Sequence, residues 1–476
     1  MSWVGLSQAH AAEETQQPRP LTTGVSYVRE PDPASFEHVE AAGAQFAHRW
    51  LNWASVAPAQ RPALWAPQDP AEPHYDWREV DAWVVEAVSA GLEPLLQVHG
   101  APSWAQGCDF PAALPNSPCE TDPAALADFA LAAARRYSGY FGGLPRVRYW
   151  QALNEPNLNL FFNPQFEEGR LASPSLYRRL VNSFYGAVKS AHGSNLVLAA
   201  GLGPVAIPGS TIGPMRFARG LLCMRGRRQP RPLRGGCEGG VYFDIFDIHP
   251  YTTGGPWHRG RADDVQLGGL EKLSELIAAA DRAGRIKGRF RRTPIWITEF
   301  SWDSKPPDPG GLSMRVLKRW TAEALFRAWR AGITHFFWYS LRDNASDRVL
   351  PFAETFESGL YFRGATVAED RPKPHVRAFR FPFVAYSRQD GFYFWGRTPE
   401  SRGGRVLLQV RQGGRWRRAG AARADRHGIF EGRIRDGYGR NRSGAVRARY
   451  RRERSVPFSL HLVRGFYQPP FGRPQP

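Results

Sequence analysis

The chain has 476 residues, of which 42% are hydrophobic, 22% charged and 13% aromatic. That is enough to bury a large core and more than one average domain needs. The apolar content excludes dominant disorder. The lack of any run of about 18 apolar residues excludes a membrane span, and 48 Gly and 40 Pro without a period exclude a collagen-like chain. The net charge of +19 is uneven, because from Val376 onward 23 Arg face 6 acids. Two explanations fit that excess: a GC-rich coding bias, or an anionic partner such as an acidic polymer or the cell envelope. No nucleic-acid-binding motif accompanies the Arg, so nucleic acid is not expected as a partner.

Taken in chain order, residues 1–20 read as an N-terminal segment. Ala9-His10-Ala11 followed by Ala12 is similar to a small-residue cleavage site. The apolar stretch before it (Trp3 to Leu6) is short, which points to a signal-peptide remnant with a late start. From 21 to 383, eight apolar runs alternate with helix-period stretches. The predicted strands are Thr23–Tyr27, Gln45–Trp50, Glu93–Val98, Val147–Leu153, Leu196–Gly201, Tyr242–Ile248, Pro294–Thr298 and His335–Tyr339. Several are continuous rather than alternating, as strands buried on both faces are. Predicted helices cover 77–90, 123–137, 175–191, 270–283 and 314–331, each stopped at or near a Gly. Eight such repeats predict a (β/α)8 TIM barrel. An open doubly wound sheet would want a Gly-rich phosphate turn, and none is seen.

From 384 to 466 the character changes to six short alternating runs separated by turn residues, which predicts a basic antiparallel β-sandwich domain. Residues 467–476 form a Pro-rich tail. The four cysteines fall into two local pairs, Cys108 with Cys119 and Cys223 with Cys237, each closing a polar loop. Two such disulfides fit a secreted or extracytoplasmic protein. No metal-ligand spacing, nucleophile elbow or phosphate loop is present, so neither metal nor cofactor is expected.

The chemistry concentrates at two strand ends. The fourth predicted strand runs into Asn154-Glu155-Pro156, and the seventh into Thr298-Glu299-Phe300. Both carboxyls would stand at the C-terminal mouth of the barrel, opposite each other. Cleavage of a glycosidic bond with retention needs such a pair, one to protonate the leaving oxygen and one to attack the anomeric carbon.

These two motifs, in this order and on these strands, resemble the signature of the clan A retaining glycoside hydrolases, family 39 or family 5-like. The resemblance spans about 21–383. It implies Glu155 as acid/base, Glu299 as nucleophile, a β-glycosidic bond of an oligo- or polysaccharide as substrate, and Asn154 as the partner of the sugar 2-hydroxyl. Other strand ends fit the same plan. Arg49 would hold the nucleophile ionised, His249 and Tyr251 would contact the nucleophile and sugar, and His99 and Trp338 would line the sugar site. Asp244 and Asp247 read as structural. A non-catalytic carbohydrate- or anionic-polymer-binding barrel is the alternative.

Overall fold

The computed structural model describes residues 19–108, 117–207, 209–235, 239–345, 352, 355–435, 444–461, 465 and 467. The expected N-terminal segment lies almost wholly outside them, as do Cys237 and all but Tyr467 of the expected tail. Eight parallel strands close into a barrel: β1 (Thr22–Ser26), β2 (Phe46–Asn52), β3 (Glu93–His99), β4 (Tyr149–Ala152), β5 (Leu196–Leu202), β6 (Ile245–Ile248), β7 (Ile295–Ile297) and β8 (His335–Tyr339). Each coincides with a predicted strand to within a few residues. The strand pairing β1–β8 closes the ring, with Thr22 opposite His335 and Ser26 opposite Tyr339.

The helices that wrap the barrel are α1 (Pro33–Ala41), α2 (Arg78–Ser89), α3 (Pro123–Arg136), α4 (Ser173–Ala191), α5 (Pro214–Leu221), α6 (Glu271–Arg282), α7 (Met314–Arg330) and α8 (Val376–Arg380). Five of them match the predicted helices. The short α1, α5 and α8 had no long apolar period to announce them, although α1 carries a legible start: Asp32 accepts from Ala34 N at 2.9 Å, with Pro33 in the first turn.

Phe46, Leu95, Leu198, Ile245, Trp296 and Phe337 meet in one cluster with Tyr149 packed against it, separate from the larger core between sheet and helices. This is the filled interior of the barrel. Gly24 of β1 leaves the room that the Phe337 ring occupies, since a Cβ there would lie 2.4 Å from that ring. The cluster fixes the phase of every strand. On β2 the inward positions continue through His48 and Trp50, on β3 through Gln97 and His99, and on β8 through Tyr339.

Beyond the barrel, β9 (Phe383–Arg388), β10 (Gly391–Arg397) and β13 (Ile429–Arg435) form a three-stranded antiparallel sheet. A second sheet is built from β11 (Gly404–Gln412), β12 (Arg415–Ala424), β14 (Ala445–Tyr450), β15 (Glu453–Arg454) and β16 (Phe458–Ser459). The first sheet packs on α7 through β9, the second packs against the first, and both share the main core with the barrel. Arg397 pins the junction. Its buried guanidinium donates to Leu21 O at 2.8 Å, to Thr23 Oγ1 at 3.1 Å and to Phe379 O at 3.4 Å. Cys108 and Cys119 form a disulfide, with Cα atoms 5.9 Å apart. Among the described residues, no helix is long and apolar enough to cross a membrane.

Candidate active site

β4 ends in two residues with left-handed backbone, Leu153 (φ 61°) and Glu155 (φ 37°). Such a conformation is unfavourable for residues with a Cβ and persists only when its surroundings enforce it. Here Glu155 N donates to Gly201 O at 3.2 Å, and Asn157 ties the same turn to the loop after β5 through Gly203 N at 2.9 Å and Ile212 O at 2.9 Å. The result turns the Glu155 side chain into the barrel mouth, where it is 8% exposed.

Glu299 enters from the end of β7 and is 6% exposed. Tyr251 donates to its Oε2 at 3.3 Å. His249, fully buried after β6, stands between the two carboxylates. Its Nδ1 is 3.0 Å from Glu155 Oε1 and 3.6 Å from Glu299 Oε2. The two nearest oxygens are thus bridged by one atom.

The other face of His249 explains its charge. Nε2 lies 3.1 Å from Thr298 Oγ1 and 3.3 Å from Asp247 Oδ2. The Thr298 hydroxyl gives its proton to Asp247, so the hydroxyl oxygen accepts from His249. With carboxylate oxygens facing both ring nitrogens, the surroundings favour the imidazolium, in which both nitrogens donate. Burial alone would lower the His249 pKa, but the Glu299, Asp247 and Glu155 carboxylates outweigh it and hold the group well above its ordinary value. Burial pushes Glu299 the other way, up to about 7; the His249 charge opposes this, while Glu155 and Asp247 add to it.

Asp247 is the anchor of this assembly. It accepts from Gln151 Nε2 at 2.8 Å, from Thr298 N at 3.0 Å and from Ile248 N at 2.8 Å, so it joins β4, β6 and β7 at the depth of the site. Asp244, by contrast, sits at the other end of β6. There it accepts from Val197 N at 2.9 Å and pairs with Lys189 at 2.7 Å, a latch between strand and helix.

A second chain orients Asn154. His48 Nε2 lies 2.9 Å from Gln97 Oε1, and Gln97 Nε2 donates to Leu153 O at 2.8 Å and to Asn154 Oδ1 at 3.0 Å. Burial lowers the His48 pKa to about 4, so the ring is neutral at pH 7 and donates through Nε2. With its oxygen thus engaged, Asn154 presents its amide nitrogen as the remaining donor group.

The structure brings Glu155, Glu299, Asn154, His249 and Tyr251 together. His99 lies at the same mouth but in an aromatic wall, its ring 4.5 Å from Trp50 and 5.9 Å from Phe161. Burial lowers its pKa to about 4, so it is neutral. Two expectations fail. Arg49 points outward from β2, where it pairs with Glu79 of α2 at 2.6 Å and donates to Arg29 O at 3.0 Å. The strand phase that puts His48 and Trp50 inside must put Arg49 outside. Trp338 is likewise out of phase. It is wholly buried behind β8 against Trp302, His375 and Phe379, with its Nε1 donating to Ser358 O at 2.7 Å. The aromatic that β8 does turn to the mouth is Tyr339, stacked on Tyr27 at 5.6 Å.

Sequence reasoning missed His48, Gln97, Gln151 and Tyr339, and read Asp247 as structural only. A signal existed. Gln97 and Gln151 are amides inside otherwise apolar strands, and a polar group in a buried strand needs a partner.

No protein-family model and no curated protein sequence matches this chain. Solved structures do. A family 39 glycoside hydrolase from the gut symbiont Bacteroides cellulosilyticus WH2 superposes with a TM-score of 0.53 at 18% identity, over 87% of this chain and 79% of its own. The GH39 enzyme from Xanthomonas axonopodis pv. citri gives a TM-score of 0.51 at 13% identity, over 87% of this chain and 91% of its own. At these identities the likeness is one of architecture: the chain shares the (β/α)8 barrel fold of family 39 glycoside hydrolases.

Proposed function

We propose that the protein is a retaining glycoside hydrolase that cleaves a β-glycosidic bond of an oligo- or polysaccharide by double displacement, outside the cytoplasm. The observation that carries this reading is the bridged pair of buried carboxylates at 3.0 and 3.6 Å from one imidazole nitrogen. Retention calls for carboxyls about 5–5.5 Å apart, whereas inversion spaces them by about 6.5–9.5 Å to admit a water. The shared atom holds the two nearest oxygens no more than about 6.6 Å apart, a limit that admits the closer spacing.

In the first step Glu155 gives its proton to the glycosidic oxygen while a Glu299 oxygen forms a bond to the anomeric carbon and the leaving alcohol departs. In the second step Glu155, now ionised, takes a proton from water. That water attacks the same carbon and breaks its bond to Glu299. Tyr251 and the His249 cation stabilise Glu299 as it regains charge. Asn154, held by Gln97, donates to the sugar 2-hydroxyl. The chemistry needs no group beyond these side chains and water.

Screening aryl β-glycosides and following the active one by proton NMR tests the reading. The β-anomer should appear first and mutarotate later. An α-anomer first means inversion, and no turnover of any glycoside or polysaccharide means that the barrel only binds.

A further inference from the structure

The second sheet of the C-terminal domain has two unlike faces. Val406, Leu408, Val410, Val446, Ala448 and Tyr450 point inward and are buried. The opposite face is set by register, because residues directly opposed in antiparallel strands project to the same side. Arg405 opposes Arg423, Gln409 lies between Arg418 and Arg447, and Arg411 opposes Trp416. Arg449 opposes Arg454 on the next strand. One face therefore carries seven arginines, of which all but the half-buried Arg447 are exposed.

Among the described residues, no carboxylate balances them. Asp390 pairs with Arg435, Glu400 with Arg451 and Glu453 with Arg380. Asp425 caps the turn before β13, and Glu431 accepts from Tyr393. A coding bias explains why these bases are Arg rather than Lys. It does not explain why the described acids of the domain avoid this face. Arg405 with Arg423 and Arg449 with Arg454 stand on strands whose backbones are about 4.8 Å apart, and Arg447 and Arg449 are neighbours along one face of β14, so their charges repel one another and a covering polyanion would relieve that repulsion.

We propose that this arginine face is a docking surface for an extended, carboxylate-bearing polysaccharide. The guanidinium fork pairs with planar carboxylates, and a row of them across four strands suits an extended polymer. Two other polyanions fit less well. Single-stranded nucleic acid would use exposed aromatics for base stacking, but the one ring here, Trp416, is already covered by the Arg447 guanidinium at 4.1 Å. An anionic membrane would call for apolar side chains to insert, and none of the exposed large hydrophobic residues lies on this face. The choice of a polysaccharide rests on the glycosidase reading of the barrel. The face itself belongs to β11, β12, β14 and β15, not to the barrel mouth.

The test uses the full chain and a variant carrying Arg411→Ala, Arg447→Ala and Arg449→Ala, checked for an unchanged thermal transition. Affinity electrophoresis in sodium polygalacturonate should retard the wild type, with an affinity that falls steeply with salt. The fully methyl-esterified polymer, which has the same backbone without charge, should not. The variant should bind at least about tenfold more weakly with a shallower salt slope, while its turnover of a small aryl glycoside is unchanged. Equal retardation by the esterified polymer, or equal binding by the variant, overturns the proposal. So does tight binding to single-stranded DNA or phosphatidylglycerol vesicles without binding to polygalacturonate. Salt-sensitive retardation without turnover of any glycoside would overturn the glycosidase reading and leave the docking surface standing.

Discussion

Glu155 and Glu299 approach the same atom, His249 Nδ1, at 3.0 and 3.6 Å. Since Glu299 is pushed up to about 7 and must be ionised to attack, kcat/KM should rise through about pH 7 as its proton leaves. In Glu155→Ala, assayed on an aryl glycoside with a good leaving group, the same rise should persist. A profile with no rise near pH 7 would contradict the burial of the nucleophile.

Removing the cation between them has a directional effect. The His249 charge lowers the Glu299 pKa, so in His249→Asn the ionisation of Glu299 should move to higher pH. The optimum of kcat/KM should shift alkaline, with a loss of about 10²-fold or more at the optimum from the missing donor. An unmoved optimum would mean that the imidazole is neutral.

The same shift predicts a stability trend. A carboxyl whose folded pKa lies above its unfolded value stabilises the fold below the unfolded pKa, and that contribution is lost as pH rises through the folded pKa. For Glu299 the window runs from its ordinary value of 4.5 to about 7. Glu299→Gln cannot ionise. Its melting temperature should therefore gain on the wild type across that window and stay a few degrees above it at pH 8, while catalysis is abolished. Parallel melting curves from pH 4.5 to 8 would refute the burial argument.

Asn154 owes its orientation to Gln97. Gln97→Leu should cost about tenfold in kcat on a substrate with a 2-hydroxyl, and little on the matching 2-deoxy glycoside. Equal losses on both would mean that the change acts through general disorder of the mouth.

Arg49 supplies the converse test. Its guanidinium faces Glu79, so Arg49→Ala should leave kcat/KM within about twofold and stability within about 1 kcal/mol, as for an outward-facing ion pair. A large loss of kcat would mean that Arg49 reaches the site.

That residue also marks where sequence stops being informative. All eight strands were legible because strands buried on both faces are continuous apolar runs. The same burial removes the alternation that would tell the inside of the barrel from the outside. Arg49 and Trp338 read as mouth residues because they stand near a strand end. One known inward residue, Phe46 for β2 or Phe337 for β8, would have reversed both assignments and found Tyr339. The carboxylate pair is legible because it lies past the strand ends, in motifs that specify themselves. Asp247 and Gln97 were obscured because their roles depend on partners about 50 residues or more away in the chain, which local pattern does not reveal.

The opposed carboxylates are tested most directly by the products that azide forms with Glu155→Ala and Glu299→Ala on one activated aryl β-glycoside. A β-glycosyl azide is expected from Glu155→Ala, through attack on the enzyme-bound sugar, and an α-glycosyl azide from Glu299→Ala, through direct displacement. The opposite pairing of products, or rescue of neither variant, would contradict these two roles.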